Sequence, residues 1–453
     1  LLGQKENILC YHCFVRSAPV GPSPQEKRFA AYVEGLARAA GHADRHQPLK
    51  DYCRGLLLPG ERKSVEPMAA RLRPDRVQAT RQSLHHFVAQ SPWSDEAVLA
   101  AVRRQVLPAI QRRGPVVAWI VDDTGIPKKG KHSVGVARQY CGQLGKQDNC
   151  QVAVSLSVAT WEASLPVAWR LYLPKEWAED RARRQRAGVP EEVEFQTKPE
   201  IALSMIEQAL EDGVPPGAVL ADAAYGSDTR FRQALEELGL RYVVGVQGSV
   251  SLWRPGEAPL EPKPWSGRGR PTKLLRRTPQ HKPLTAREYV TSLGEGVLKR
   301  VAWREGTARR LVSRFVAVRV RPAHRDYWRS EPHAELWLLA EWPRGAAEPT
   351  KYWLSNLPAD TRLQELVRLA KHRWVVERDY LELKQELGLG HFEGRSWRGF
   401  HHHATLCIAA YGFLVAERSR FSPSARTGKL ELKADGPAAD YQPRGSRSEP
   451  ATV

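Results

Sequence analysis

Residues 116–125 read Val-Val-Ala-Trp-Ile-Val-Asp-Asp-Thr-Gly, an uncharged apolar run that stops on two carboxylates. Most of its apolar side chains are β-branched or aromatic, which is the composition of a strand buried in a sheet, and Asp-Asp-Thr-Gly reads as its end. Whatever fold the chain adopts must bury this strand and keep its acidic end available.

A second run of the same kind follows. Residues 218–226 read Ala-Val-Leu-Ala-Asp-Ala-Ala-Tyr-Gly, a short apolar strand stopping on Asp222, after which Ser227 and Asp228 offer caps for a helix over 229–238. Two strand-end carboxylates can converge on one edge of a sheet, although Asp and Gly are also ordinary turn formers. In the segment 373–384, Arg373, Glu377, Tyr380 and Lys384 recur at spacings of four, three and four. They therefore share one helical face, with one acid between two cations.

An Asp at one strand end, an Asp at another and a helical Arg-x3-Glu-x6-Lys resemble the DDE transposases of bacterial insertion sequences. The resemblance extends over roughly residues 28–420 and is closest to the insertion sequence 701 group. It is carried by Asp122-Asp123-Thr124-Gly125-Ile126-Pro127-Lys128-Lys129-Gly130, by Ser133-Val134-Gly135-Val136-Ala137-Arg138-Gln139-Tyr140, by Asn149-Cys150-Gln151-Val152 and by Lys384-Gln385-Glu386-Leu387-Gly388-Leu389. One departure is visible: the wider signature begins with a Tyr three residues before the Arg, and Ala370 stands there.

The resemblance implies an α/β fold with a ribonuclease H-like mixed sheet flanked by helices, a β-rich insertion before the last catalytic helix and an α-helical N-terminal domain. It implies that Asp123, Asp222 and Glu377 are the catalytic, metal-holding acids. Adjacent strand residues face opposite sides, so only one of Asp122 and Asp123 can lead the site. Asp123 is favoured because related motifs place the catalytic Asp directly before Thr. Arg373 and Lys384 are expected to bind phosphates flanking the scissile bond, with Lys128 and Lys129 weaker candidates. Helix-face ion pairing is the competing role for the first two.

Three carboxylates holding two divalent cations suit phosphodiester cleavage, and an all-oxygen ligand set suits Mg²⁺, with Mn²⁺ able to substitute. The expected activity is that of a transposase: binding of the element's terminal inverted repeats, cleavage, and joining of the 3′-OH ends to target DNA, by a homodimer on paired ends. A nuclease of the same core that never joins ends, and a catalytically inactive DNA-binding descendant, are the competing readings.

Composition agrees with a polyanionic partner. Lys plus Arg number 69 against 50 for Asp plus Glu, a formal net charge of +19 and a pI near 9.8. The six cysteines lack disulfide-framework spacing, and Cys10-x2-Cys13 lacks a second ligand pair for zinc. The longest apolar stretch, 406–416, falls short of the ~20 residues of a membrane helix. A cytoplasmic, nucleoid-associated protein with no membrane attachment is expected.

The chain begins with Leu and its first Met is Met68, yet the block around Met68 looks like family sequence continuing upstream. Residues 1–24 read as a disordered leader, 25–112 as an α-helical DNA-binding domain rich in Arg and His, and 113–420 as the catalytic domain. In that domain, strands are expected at 116–122, 150–160, 165–173, 218–222 and 241–247, and an insertion at about 248–355 carries a basic loop over 262–283. Seven Trp fall in the insertion, and most, about five, are expected in the core. His401-His402-His403 reads as a capping or DNA-facing cluster, and 421–453 as a disordered tail.

Overall fold

The computed structural model describes residues 21–305 and 310–420. The Cys10–Cys13 pair, the 421–453 tail and nearly all of the expected leader lie outside the described residues.

Five helices come first: α1 (Pro24–Ala39), α2 (His46–Leu57), α3 (Val65–Leu72), α4 (Val77–Ala89) and α5 (Asp95–Gln111). Helix α1 starts where Ser23 and Glu26 form a reciprocal cap, with Pro24 at the first helical position, where its missing N–H costs nothing.

The sheet then begins with β1 (Ala118–Pro127), β2 (Ala137–Cys141), β3 (Lys146–Ala159) and β4 (Ser164–Leu171). Helices α6 (Lys175–Ala178), α7 (Arg181–Ala187) and α8 (Lys198–Glu211) lead to β5 (Ala218–Ala221), α9 (Ala223–Gly226), α10 (Thr229–Glu237) and β6 (Tyr242–Val246). Strand β3 runs antiparallel to both β1 and β4, whereas β5 is parallel to β1 and β6 is parallel to β5. The resulting order β4-β3-β1-β5-β6, three antiparallel strands followed by two reached through helices, is the ribonuclease H-like arrangement.

Two details depart from the sequence reading. Asp-Asp-Thr-Gly does not end β1, because the strand continues to Pro127 and its ladder with β3 pairs Asp122 with Ser155 and Asp123 with Val154. Gly125 allows this: a Cβ there would lie 2.9 Å from Cys141 Sγ, so only glycine lets β2 pack this closely. Strand β2 was not foreseen, since its alternating half-exposed pattern is short and polar. It forms a hairpin on the first half of β3.

The insertion contributes β7 (Ser251–Trp253), β8 (Leu284–Thr285), α11 (Ala286–Leu293), β9 (Lys299–Glu305), β10 (Arg310–Pro322), β11 (Leu336–Glu341) and β12 (Lys351–Ser355). Strand β12 pairs antiparallel with β6, so the insertion prolongs the core sheet rather than standing apart from it. Of its Trp residues, Trp253, Trp342 and Trp353 are buried and Trp303 and Trp337 pack partly buried against the core, while Trp265 and Trp328 are exposed.

The chain ends its described part with α12 (Leu363–His372), α13 (Trp374–Gln385) and α14 (Trp397–Arg420). Helices α1–α5 pack around α14 and share one apolar core with the sheet. Tyr32 donates to the Ala409 carbonyl at 2.8 Å, Phe29 meets Phe413 edge-on at 5.0 Å, and Arg28 pairs with buried Glu417. The histidine cluster belongs to this junction and does not face DNA. His401, His402 and His403 are all buried, because α14 is surrounded by other elements. Tyr52 hydroxyl bonds His403 Nδ1 at 2.9 Å, and His402 stacks on Trp93 with ring centroids 3.6 Å apart.

Candidate active site

The site forms where β1 outruns its parallel neighbour. Strand β5 pairs with β1 only over Ala118–Ile120, and the chain then turns into α9 with Asp222 as its N-cap, accepting from the Ala224 amide at 2.9 Å. Beyond Ile120 this flank of β1 is open, and Asp122 and Asp123 lie there. Gly226 lets α9 press on β6: a Cβ at this position would stand 2.0 Å from the Gly245 carbonyl oxygen.

The two adjacent acids face opposite ways, as strand alternation requires. Asp122 is buried and accepts from Arg373 Nη1 at 2.8 Å, and Arg373 Nη2 reaches Glu377 Oε1 at 3.9 Å. Asp123 accepts instead from Lys198 Nζ at 2.8 Å and from the Tyr225 hydroxyl at 3.3 Å. It is therefore Asp122 that shares a guanidinium with Glu377. The expectation that Asp123 leads the site rests on the motifs of related enzymes, which do not say which face of a strand meets the last helix.

Electrostatics separates the pair too. Burial, opposed by Arg373 and reinforced by the neighbouring charges of Asp222 and Asp123, pushes the Asp122 carboxyl up to about 7. Burial opposes the charge of Arg373, but Asp122, Asp222 and Glu377 together hold its pKa above the ordinary value. Asp122, Asp222, Glu377 and Arg373 thus form one electrostatic group. Glu377 is its exposed member, with 68% of its side chain accessible. Among the described residues no three His, Cys, Asp or Glu side chains close into a ready-made metal-ligand cluster.

Helical spacing does bring Arg373, Glu377, Tyr380 and Lys384 to the sheet. Arg373 sits at the junction of α12 and α13. The Tyr380 hydroxyl lies 2.6 Å from Ser155 Oγ, directly across the ladder from Asp122. Lys384 Nζ donates to the Gly125 carbonyl at 2.8 Å, so the cation expected to bind phosphate is tied to the backbone of β1. Lys128 is similarly engaged, donating to the Phe392 carbonyl at 2.6 Å, and burial pulls its ammonium down to about 8. Lys129 is exposed. Ala370 is buried in α12, with no polar group to offer.

Lys198 and Tyr225 were not singled out with the acids in the sequence, and Tyr380 was placed on the face of Glu377 without a role. Lys198 opens α8 inside a Thr197–Glu200 capping box, a signal that marks a helix start and says nothing of Asp123. Tyr380 did fall on the Arg–Glu–Lys face, the one available clue.

Acids gathered where the strands of a buried mixed sheet diverge, one of them pushed toward neutral pH by burial, mark a candidate catalytic site. The sequence profile of the DDE superfamily endonucleases matches residues 35–310, more than half the chain, and the protein belongs to that family. It is 36% identical over 169 residues to the probable transposase for insertion sequence element IS701 of Microchaete diplosiphon, covering 37% of this chain and 41% of that relative. The similarity thus spans about two-fifths of the relative's length, and it agrees with the insertion sequence 701 resemblance of the motif blocks. A structure of the piggyBac transposase synaptic complex with hairpin DNA aligns over 92% of this chain and 78% of its own, at 8% identity and a TM-score of 0.31, too low to bear on the fold.

Proposed function

We propose that the protein is an insertion-sequence transposase that binds the terminal inverted repeats of its element, cleaves DNA at Asp122, Asp222 and Glu377, and joins the 3′-OH ends to target DNA as a homodimer on paired ends. The observation that carries the assignment of the acids is the single guanidinium of Arg373, which pairs with Asp122 and reaches Glu377. Asp123, held by Lys198 and Tyr225, is then a positioning residue beside Asp122 rather than its alternative.

The donor set fits a hard divalent cation. Its ligands are all carboxylate oxygens, and Asp122 is held near neutrality because one arginine does not offset its burial and its acidic neighbours. When bound there, Mg²⁺ or Mn²⁺ lowers the pKa of the attacking water or 3′-OH and stabilises charge on the leaving oxygen. The chain's own contribution is geometric and electrostatic. Strands β1 and β5 fix two acids on rigid backbone, α13 brings the third from a different element, and Arg373 supplies a positive charge facing the reacting phosphate.

The test uses the full chain, DNA flanking its gene, and Mg²⁺ or EDTA, alongside Asp122→Asn, Asp123→Asn, Asp222→Asn and Glu377→Gln. Metal-dependent cleavage and joining that are lost in the first, third and fourth variants and only reduced in Asp123→Asn is the expected result. Cleavage without joining indicates a nuclease, binding without cleavage an inactive descendant, and loss in Asp123→Asn alone reverses the choice between the two neighbouring acids.

A further inference from the structure

The loop after β1 leads from the acids into a cleft of about 570 Å³ beside α7. Lys131, Arg138, Arg183, Arg186 and Arg395 line it, against two acids, Glu176 and Asp180. Asp180 is occupied as the cap of α7, accepting from the Arg183 amide at 2.9 Å. None of the five cations forms an ion pair among the described residues, although the chain pairs cations readily elsewhere, as in Arg103–Asp212 and Lys371–Glu341. Five cations against two carboxylates leave the cleft with a positive excess whose members repel one another, and a bound polyanion removes that repulsion.

The cleft is also built rather than merely charged. Asn149 Nδ2 donates to the carbonyls of Lys128 and Gly130 at 2.7 and 2.8 Å, fixing the loop. The Val134 amide donates to the Arg395 carbonyl at 3.1 Å, joining that loop to the segment before α14. Trp177 Nε1 donates to the Val136 carbonyl at 2.7 Å, and the Arg183 guanidinium lies over the Trp177 ring at 3.8 Å. Arg183 is thus held in place before any ligand arrives. Arg395 also lines a neighbouring cleft of about 580 Å³ that contains Lys128 and Lys129, so basic side chains continue back toward β1.

We infer that this cleft seats the sugar–phosphate backbone of duplex DNA about six base pairs from the reacting phosphate. The inference rests on the endonuclease reading of the acids. From Ser155, across the ladder from Asp122, to Asn149, which lines the cleft, is six residues of β3, or about 20 Å at ~3.3 Å per residue. One strand of B-DNA advances ~3.4 Å per nucleotide, which converts that distance to about six steps. Arg183 and Arg186 approach the backbone from α7, Arg138 from β2 and Arg395 from the segment before α14, contacts that position DNA without reading its sequence.

The experiment is fluorescence anisotropy of a labelled 30-base-pair duplex with the full chain over a range of KCl concentrations. Arg183→Ala/Arg186→Ala is expected to bind at least tenfold more weakly at low salt and to lower the slope of log affinity against log salt by about two, one per phosphate contact. Arg183→Lys/Arg186→Lys is expected to keep the slope, and Arg344→Ala/Lys351→Ala, which removes two exposed cations of the insertion that line neither cleft, to leave binding unchanged. Should the Ala pair lose its fold with the Trp177 stack, Arg138→Ala/Arg395→Ala, which removes no stacked side chain, gives the same readout. Unaltered affinity and slope in a folded cleft variant overturn the inference and leave the endonuclease reading standing. Failure of the unaltered protein to bind any duplex removes both. For the position, a neutral methylphosphonate about six base pairs from the cut should weaken the unaltered protein and leave the Ala pair indifferent; a uniform response along the duplex refutes the placement.

Discussion

Arg373 donates to Asp122 across 2.8 Å, joining the junction of α12 and α13 to the middle of β1 over 251 positions of sequence. With Asp122 buried and Arg373 only about a quarter exposed, this contact holds the last helix of the site against the sheet. The same guanidinium reaches Glu377 at 3.9 Å, which is the observation behind the proposal of Asp122 as the leading acid.

Removing the guanidinium leaves a buried carboxylate without its counter-charge. Arg373→Ala is expected to lower stability by about 2–3 kcal/mol, below the ~3–5 of fully buried pairs because Arg373 retains solvent contact. Arg373→Lys keeps the charge but loses the fork that reaches two acids, so it should recover most of the stability and little of the cleavage. Urea denaturation and cleavage rates measured on the same variants check both halves.

Lys198 and Asp123 form a part-exposed pair, with 30% and 25% of their side chains accessible. Lys198→Met is expected to cost less than ~1 kcal/mol, since solvent screens such pairs and Tyr225 still donates to Asp123. Cleavage should fall by less than tenfold. A loss as complete as that of Asp122→Asn would identify Asp123 as the leading acid.

His403 is buried between the Tyr52 hydroxyl and the Gly388 carbonyl, and burial lowers its pKa to about 4. Its folded value lies below the ordinary ~6.5, so the unfolded chain takes up its proton first and stability declines as pH falls from about 6.5 through 4. The shift corresponds to roughly 3 kcal/mol over that window. Melting temperature plotted against pH should therefore drop below 6.5, and less steeply in His403→Gln, where buried His402, also lowered to about 4, still contributes.

Gly226 has no room for a side chain beside the Gly245 carbonyl. Gly226→Ala must push α9 off β6, at an expected cost of at least ~3 kcal/mol, and displace Asp222 with it. A melting temperature within two degrees of the unaltered protein's, or full cleavage activity, would show that α9 relaxes freely.

Much of the core was legible in the chain. The apolar runs before Asp122 and Asp222 became β1 and β5, and the spacing of Arg373, Glu377, Tyr380 and Lys384 did turn one face toward the sheet. The registers that decide roles were not legible. Periodicity says that Asp122 and Asp123 face opposite ways, but not which way α13 approaches. Helical spacing did not say that the Lys384 ammonium reaches the Gly125 carbonyl, nor that His401, His402 and His403, read as a capping or DNA-facing cluster, are buried where α14 is surrounded.

The sequence by itself determined which segments must be strands, which must be helices and where carboxylates fall along them, because alternation, helical spacing and turn residues act over a few neighbours. Only the tertiary structure decided that β1 runs on past its acids, that the insertion prolongs the sheet through β12, and that Asp122 rather than Asp123 meets Arg373. Those outcomes depend on contacts between residues tens to hundreds of positions apart, whose registers local sequence does not encode.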